Sequence, residues 1–223
     1  AKRRIEFSIL VTILIGIPCS ICMCIFSSQI LDLLFPNASS GSEMLSIASW
    51  IIIFVVLTQT INGALQGLGK VNVPVIAFGV GSIIKLVFNI ALIPIIGVNG
   101  AIISSIMSHM FSFAICFIAL RKSIYIDFKI SKFIVKPIIA SAIMALVSYW
   151  SYIRLCSLIQ CKLLLIICLL IGIISYIISI FILKILSQEE IFMIPYGQKT
   201  YKKLNKLKKK KRPNPVKSTV SRM

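Results

Sequence analysis

The chain has 223 residues, of which 58% are hydrophobic, and a mean hydropathy of +1.01. Soluble globular domains are roughly half apolar, so a water-soluble enzyme domain is excluded as the body of this protein. The formal net charge is +18, from 24 Lys and Arg against 6 Asp and Glu. None of those few carboxylates lies deep in an apolar run, which excludes a buried acid–base pair.

A membrane-spanning helix needs about 20 predominantly apolar residues. Six such runs occur, near 5–27, 44–67, 73–96, 99–120, 133–152 and 163–186. They predict an all-α membrane protein with six transmembrane helices. The first run follows Lys2, Arg3 and Arg4, as in a signal peptide. It is too long for that reading, since signal apolar regions run to roughly 7–15 residues, and no small-x-small site closes it. A chain beginning with Ala is expected to be the C-terminal part of something longer, or a processed product. Cys19, Cys22 and Cys24 lie inside this run with no His or carboxylate beside them, so they read as packing residues rather than metal ligands.

In the link that follows, Ser40 and Glu43 have the spacing of a capping box for the second span. Asn37-Ala38-Ser39 fits a glycosylation sequon and is read as chance. The second span carries Gln59, Asn62 and Gln66 at i, i+3 and i+7, one helical face. Gly63 and Gly67 stand four apart on a neighbouring line, a spacing that lets helices approach closely. This face reads equally as a packing seam and as the polar wall of a substrate path.

Lys70, Asn72 and Pro74 mark a turn, with Pro74 tolerated in the first turn of the third span. That span presents Gly79, Gly81, Ser82, Lys85 and Asn89. Lys85 sits roughly 18 Å into the helix, too deep for easy snorkelling. Charges at that depth face a bundle interior or an aqueous cavity, and an unpaired buried Lys would lose its proton. Lys85 therefore faces water, an anion, or a carboxylate from outside these residues. Lys85 and Asn89 are i, i+4 neighbours and share a face.

The fourth span aligns Ser104, Ser108 and Ser112, with Ser105 and His109 beside them, and reads as a packing face. His109 can titrate between pH 5 and 8. A hydrogen-bonded structural role is favoured for it over proton coupling, which stays open. The last two spans are almost wholly apolar apart from Lys136, Gly172, Ser175 and Ser179, with Tyr149, Trp150 and Tyr152 at the outer interface. Cys156 and Cys161 flank an outer link and could pair only in an oxidising exterior.

Lys and Arg collect on cytoplasmic loops near span ends. The basic clusters alternate accordingly here: Lys2–Arg4, Lys70, and Arg121, Lys122, Lys129 and Lys132 lie on one side. The links 27–43 and 96–99 have no basic residue, and the fifth link has Arg154 and Lys162. Both ends are thereby expected in the cytoplasm. The tail from Lys199 holds 11 of the 24 basic residues and no acidic one. Without interleaved aromatics or a domain around it, the tail is read as disordered and held near anionic membrane lipids, not as a nucleic-acid arm. No nucleotide, zinc-protease or Ser-His-Asp motif occurs, so neither an enzyme nor a cofactor is expected.

Residues 14–36 (LIGIPCSICMCIFSSQILDLLFP), 58–104 (TQTINGALQGLGKVNVPVIAFGVGSIIKLVFNIALIPIIGVNGAIIS) and 121–128 (RKSIYIDF) resemble the family of stage V sporulation protein B and the polysaccharide flippases. That family lies in the multidrug/oligosaccharidyl-lipid/polysaccharide exporter superfamily. The most specific portion is LQGLGK-x-x-x-P followed by K-x-x-x-N. The resemblance implies a two-lobe MATE-like bundle, of which this chain is the C-terminal lobe. Residues 1–122 would be its four helices, 123–187 two additional helices offering a groove for lipid, and 188–223 the basic tail.

It further implies transport of a polyprenyl-diphosphate-linked sugar across the bacterial plasma membrane by alternating access, together with the missing N-terminal lobe. Lys85 would meet the diphosphate, and Asn89, Gln59, Asn62 and Gln66 the polar headgroup. A cation-coupled drug exporter and a membrane scaffold for cell-wall or spore-coat assembly are the alternatives. The exporter would need an embedded carboxylate.

Overall fold

A computed structural model describes residues 2–35, 41–124, 131–156, 163–183 and 185. The capping-box Ser40, the sequon at 37–39, Cys161 and the basic tail lie outside the described residues. Everything described is helix, turn or short link, and no strand occurs among the described residues. All of it falls within one packing unit, Ala1–Ile185.

Helix α1 runs Lys2–Ile25 and is followed by the short α2, Ser27–Leu34. The second span is interrupted: α3, Ser42–Ala48, and α4, Ile51–Gly67, are separated at Ser49–Trp50. Then come α5, Asn72–Ile96, and α6, Val98–Ser123. A π-helical turn at Ser131–Val135 leads into α7, Lys136–Cys156, and α8 closes the set at Leu163–Ile182. Among the described residues, six helical segments are long and apolar enough to cross a membrane, with α3 and α4 counted as one span. The short α2 lies within what the sequence reads as the link 27–43 between the first two spans. The N-cap of α3 is Gly41, and the capping-box expectation at Ser40 lies outside the described residues.

Packing follows the contact order α8, α7, α1, α4, α6, α5, each helix lying against the next. Small residues bring the axes together. On α6, Gly100, Ser104, Ser108, Ser112 and Cys116 are all buried along one i, i+4 line. A Cβ on Gly81 of α5 would collide with Ser112 Oγ and stand 3.1 Å from Ser108 O. Ser112 Oγ donates to Ala77 O at 3.0 Å, tying α5 to this seam. Between α1 and α4, a Cβ on Gly16 would stand 2.8 Å from Val56 Cγ2. The Thr12 and Thr60 hydroxyls meet at 2.6 Å, and Ser20 Oγ donates to Ser49 O at 2.8 Å. In lipid, where tails are as apolar as the helices, such close packing and interhelical bonds hold a bundle together.

The LQGLGK segment ends α4 in a Schellman arrangement. Gly69 takes φ +76°, a left-handed conformation that only glycine adopts without cost. Its N–H donates to Gln66 O at 2.9 Å, and the Lys70 N–H donates to Leu65 O at 2.9 Å. Two carbonyls at the helix end are thereby satisfied, and the chain reverses at once into α5.

Candidate functional site

Helices α4 and α5 meet at the Lys70 turn, and α6 returns to the same end, so depths on the three can be compared. At 1.5 Å per residue, Gln66 lies at that end, Asn62 about 8 Å in and Gln59 about 12 Å in. Lys85 is about 20 Å in along α5, with about 17 Å of helix beyond it. His109 on α6 is about 21 Å from Ser123, at the depth of Lys85. Asn89 is one turn further. The polar residues are thus strung along the depth of the bundle rather than gathered into one pocket.

Lys85 is exposed on α5, the last helix in the contact order, and makes no hydrogen bond or ion pair among the described residues. Its electrostatic neighbour is His109, which is half-buried. Asn89 is half-buried, and its Oδ1 is enclosed without a hydrogen-bond partner among the described residues. The faces around Lys85 are covered with large exposed apolar side chains, among them Ile83, Leu86 and Ile90. Such a surface belongs in hydrocarbon, yet an ammonium at mid-span does not. The arrangement therefore requires water or an anionic group against this part of α5.

On α4 the three amides part company. Gln59 and Gln66 are exposed, whereas Asn62 is buried, with 5% of its surface accessible. Cys116 Sγ donates to Asn62 Oδ1 at 3.2 Å. Asn62 sits at the edge of the roughly 60° arc that holds all three residues, on the side against α6. Nothing lies within 4 Å of where a Cβ would stand on Gly63 or Gly67, so the close approach that their spacing invites is not made by the described residues.

The structure thus brings Lys85 to His109 and Asn62 to Cys116, and keeps Gln59 and Gln66 about 8 Å or more from the depth of Lys85. Sequence reasoning missed Cys116. Its place four residues beyond Ser112 on the same seam was the available signal.

Among the described residues no three His, Cys, Asp or Glu side chains converge to hold a metal ion. Cys19 is exposed, and Cys24 Sγ lies 3.2 Å from Ser46 Oγ on α3. Glu6 is in the second turn of α1, Asp32 in α2 and Glu43 in the first turn of α3. None of the three reaches the level of Lys85.

Six apolar spans and these polar groups define a multi-pass α-helical membrane protein. Residues 1–91 match the family model MatE. The chain is 29% identical over 154 residues to an uncharacterized membrane protein, YabM, of Bacillus subtilis (strain 168), covering 69% of this chain and 28% of YabM. It is 30% identical over 117 residues to the uncharacterized membrane protein MJ1068 of Methanocaldococcus jannaschii, covering 51% of this chain and 23% of MJ1068. The chain thus spans about a quarter of the length of these curated relatives. No solved structure matches it.

Proposed function

We propose that these residues form one lobe of a transporter that carries a lipid-linked oligosaccharide across the bacterial plasma membrane by alternating access. The observation that carries this reading is Lys85, an exposed ammonium at mid-span with no carboxylate to neutralise it among the described residues. A diphosphate is the anion that a membrane-embedded cargo of this class would bring. Gln59 and Gln66 would line its approach from the Lys70 end, and Asn89 would bond polar atoms next to Lys85. With Oδ1 engaged by Cys116, Asn62 offers chiefly its amide N–H groups. The rest of the cavity, in this reading, comes from an N-terminal lobe outside these residues, and both ends of the chain are cytoplasmic.

The test is Lys85→Ala and Lys85→Arg in the full-length protein, assayed for complementation of a flippase-deficient strain. Ala should abolish complementation and Arg should preserve much of it. Wild-type activity in Lys85→Ala would remove Lys85 from the mechanism. A cation-coupled drug exporter is the competing reading. The shallow placement of Glu6, Asp32 and Glu43 counts against it, because ion coupling calls for a carboxylate at depth. A scaffold acting through the basic tail would lose function on deletion after Lys199, whereas a transporter would keep most of it.

A further inference from the structure

Helix α1 contains Pro18, which has no N–H to give to the carbonyl of Leu14 four residues earlier. An unpaired carbonyl in the apolar interior costs several kcal/mol, so a spanning helix with an internal proline needs an outside donor. Here the donor is the Tyr176 hydroxyl of α8, which bonds Leu14 O at 2.7 Å in a buried position. Ser141 on α7 lies beside the same hydroxyl, its own hydrogen donated to Pro137 O at 2.8 Å. Two helices are therefore joined at one oxygen, 162 residues of chain separating the donor from the acceptor.

The other side of the same α1 turn faces α4. Thr12 meets Thr60, and Gly16 abuts Val56. Leu14 lies between those two contacts, and the α4 turn from Val56 to Thr60 includes Gln59. These two contacts are the route by which a change in α1 at Pro18 would reach this turn.

We propose that Tyr176 is a latch: through its bond to the Leu14 carbonyl, the α7–α8 pair holds the proline turn of α1 in place and, with it, the position of the Gln59 turn of α4. Tyr176 is a positioning residue in this device, since it touches α1 rather than any cargo. Release of the bond leaves Leu14 O without a donor and frees α1 to flex at the proline. Displacement of α8, for example by a lipid chain entering beside it, is then felt on the polar face of α4. The device is independent of which cargo the protein carries.

The experiment is amide hydrogen exchange read by mass spectrometry on the full-length protein in lipid nanodiscs. Four proteins are compared: wild type, Tyr176→Phe, Pro18→Ala, and the double variant. Phe keeps the ring and removes only the donor, while Pro18→Ala restores an intrahelical N–H for Leu14 O. Tyr176→Phe should speed exchange about fivefold in residues 10–22 and 56–60, the factor that one ordinary hydrogen bond gives. The α5–α6 hairpin should be unchanged. In the Pro18→Ala background the Tyr176→Phe change should have no effect. Unaltered exchange in Tyr176→Phe, an increase that extends to the hairpin, or an equal increase in both backgrounds would each overturn the latch. Should Tyr176→Phe not fold, the double variant must restore folding, and its failure to do so overturns the proposal equally.

Discussion

Cys116 on α6 donates its thiol hydrogen to the buried Oδ1 of Asn62 on α4, 54 residues earlier, at 3.2 Å. The bond fixes which of the α4 amides faces the bundle and which two face outward. It also assigns the lower end of the α6 small-residue seam to α4, whereas Ser108 and Ser112 serve α5.

Substitutions at this pair should separate packing from transport. Cys116→Ala strands Asn62 Oδ1 and should lower stability by about 1 kcal/mol, the scale of interhelical bonds in membranes. Asn62→Leu together with Cys116→Ala removes both polar partners and should recover most of that loss. Unfolding in mixed detergent micelles measures both. If Asn62 also contacts cargo, the stable double variant should still lose transport. A fully active double variant would confine Asn62 to packing.

Glycines of similar sequence setting should behave in opposite ways. Gly81→Ala places a methyl against Ser112 Oγ and Ser108 O, so α5 must move off α6. Overpacking of this kind costs typically about 1–3 kcal/mol. Gly63→Ala and Gly67→Ala meet nothing within 4 Å and should leave unfolding unchanged. A transport loss in Gly63→Ala at unchanged stability would show that this open line packs against something beyond the described residues. A destabilised Gly63→Ala would contradict the present packing.

The spans themselves were legible because each needs only a long apolar run. The third was placed at 73–96 and lies at Asn72–Ile96. What the sequence could not show depends on neighbours. The break at Ser49–Trp50 falls where Ser20 of α1 donates to Ser49 O, a contact that no local pattern encodes. The α4 amides share one arc in sequence, and only the side that α6 occupies decides that Asn62 is covered and Gln59 is not. Lys85 was legible as an anomaly, a cation in an apolar helix. Its placement beside His109 depends on the antiparallel register of α5 and α6.

That register is held at the hairpin by Gly97, with φ +59° and ψ −137°, a region open essentially to glycine. Its N–H donates to Ile93 O at 2.9 Å, and Gly100 N–H donates back to Gly97 O at 3.0 Å. Gly97→Ala should therefore cost about 1–3 kcal/mol through backbone strain alone. Because the strain is local, exchange protection should fall first at residues 93–101, with the Lys70 turn unaffected. Equal loss at both ends of α5 would mean that the helix, not the hairpin, had been disturbed.

Lys136 provides the complementary case of a cation used for structure. Its Nζ donates to Leu183 O at 3.0 Å, joining the start of α7 to the carbonyl just past the end of α8. Cations are favourable there, because the last carbonyls of a helix lack intrahelical partners and carry the negative end of its dipole. Lys136→Met preserves the alkyl stem and removes the donor. It should cost about 1 kcal/mol of stability and fray the last turn of α8. Lys136→Arg, which keeps a donor within reach, should restore most of that loss. Transport should survive Lys136→Met, in contrast to Lys85→Ala, because Lys136 satisfies a carbonyl whereas Lys85 bonds no group among the described residues. Loss of transport with both lysine variants at matched stability would instead mean that net positive charge, rather than the position of Lys85, governs activity.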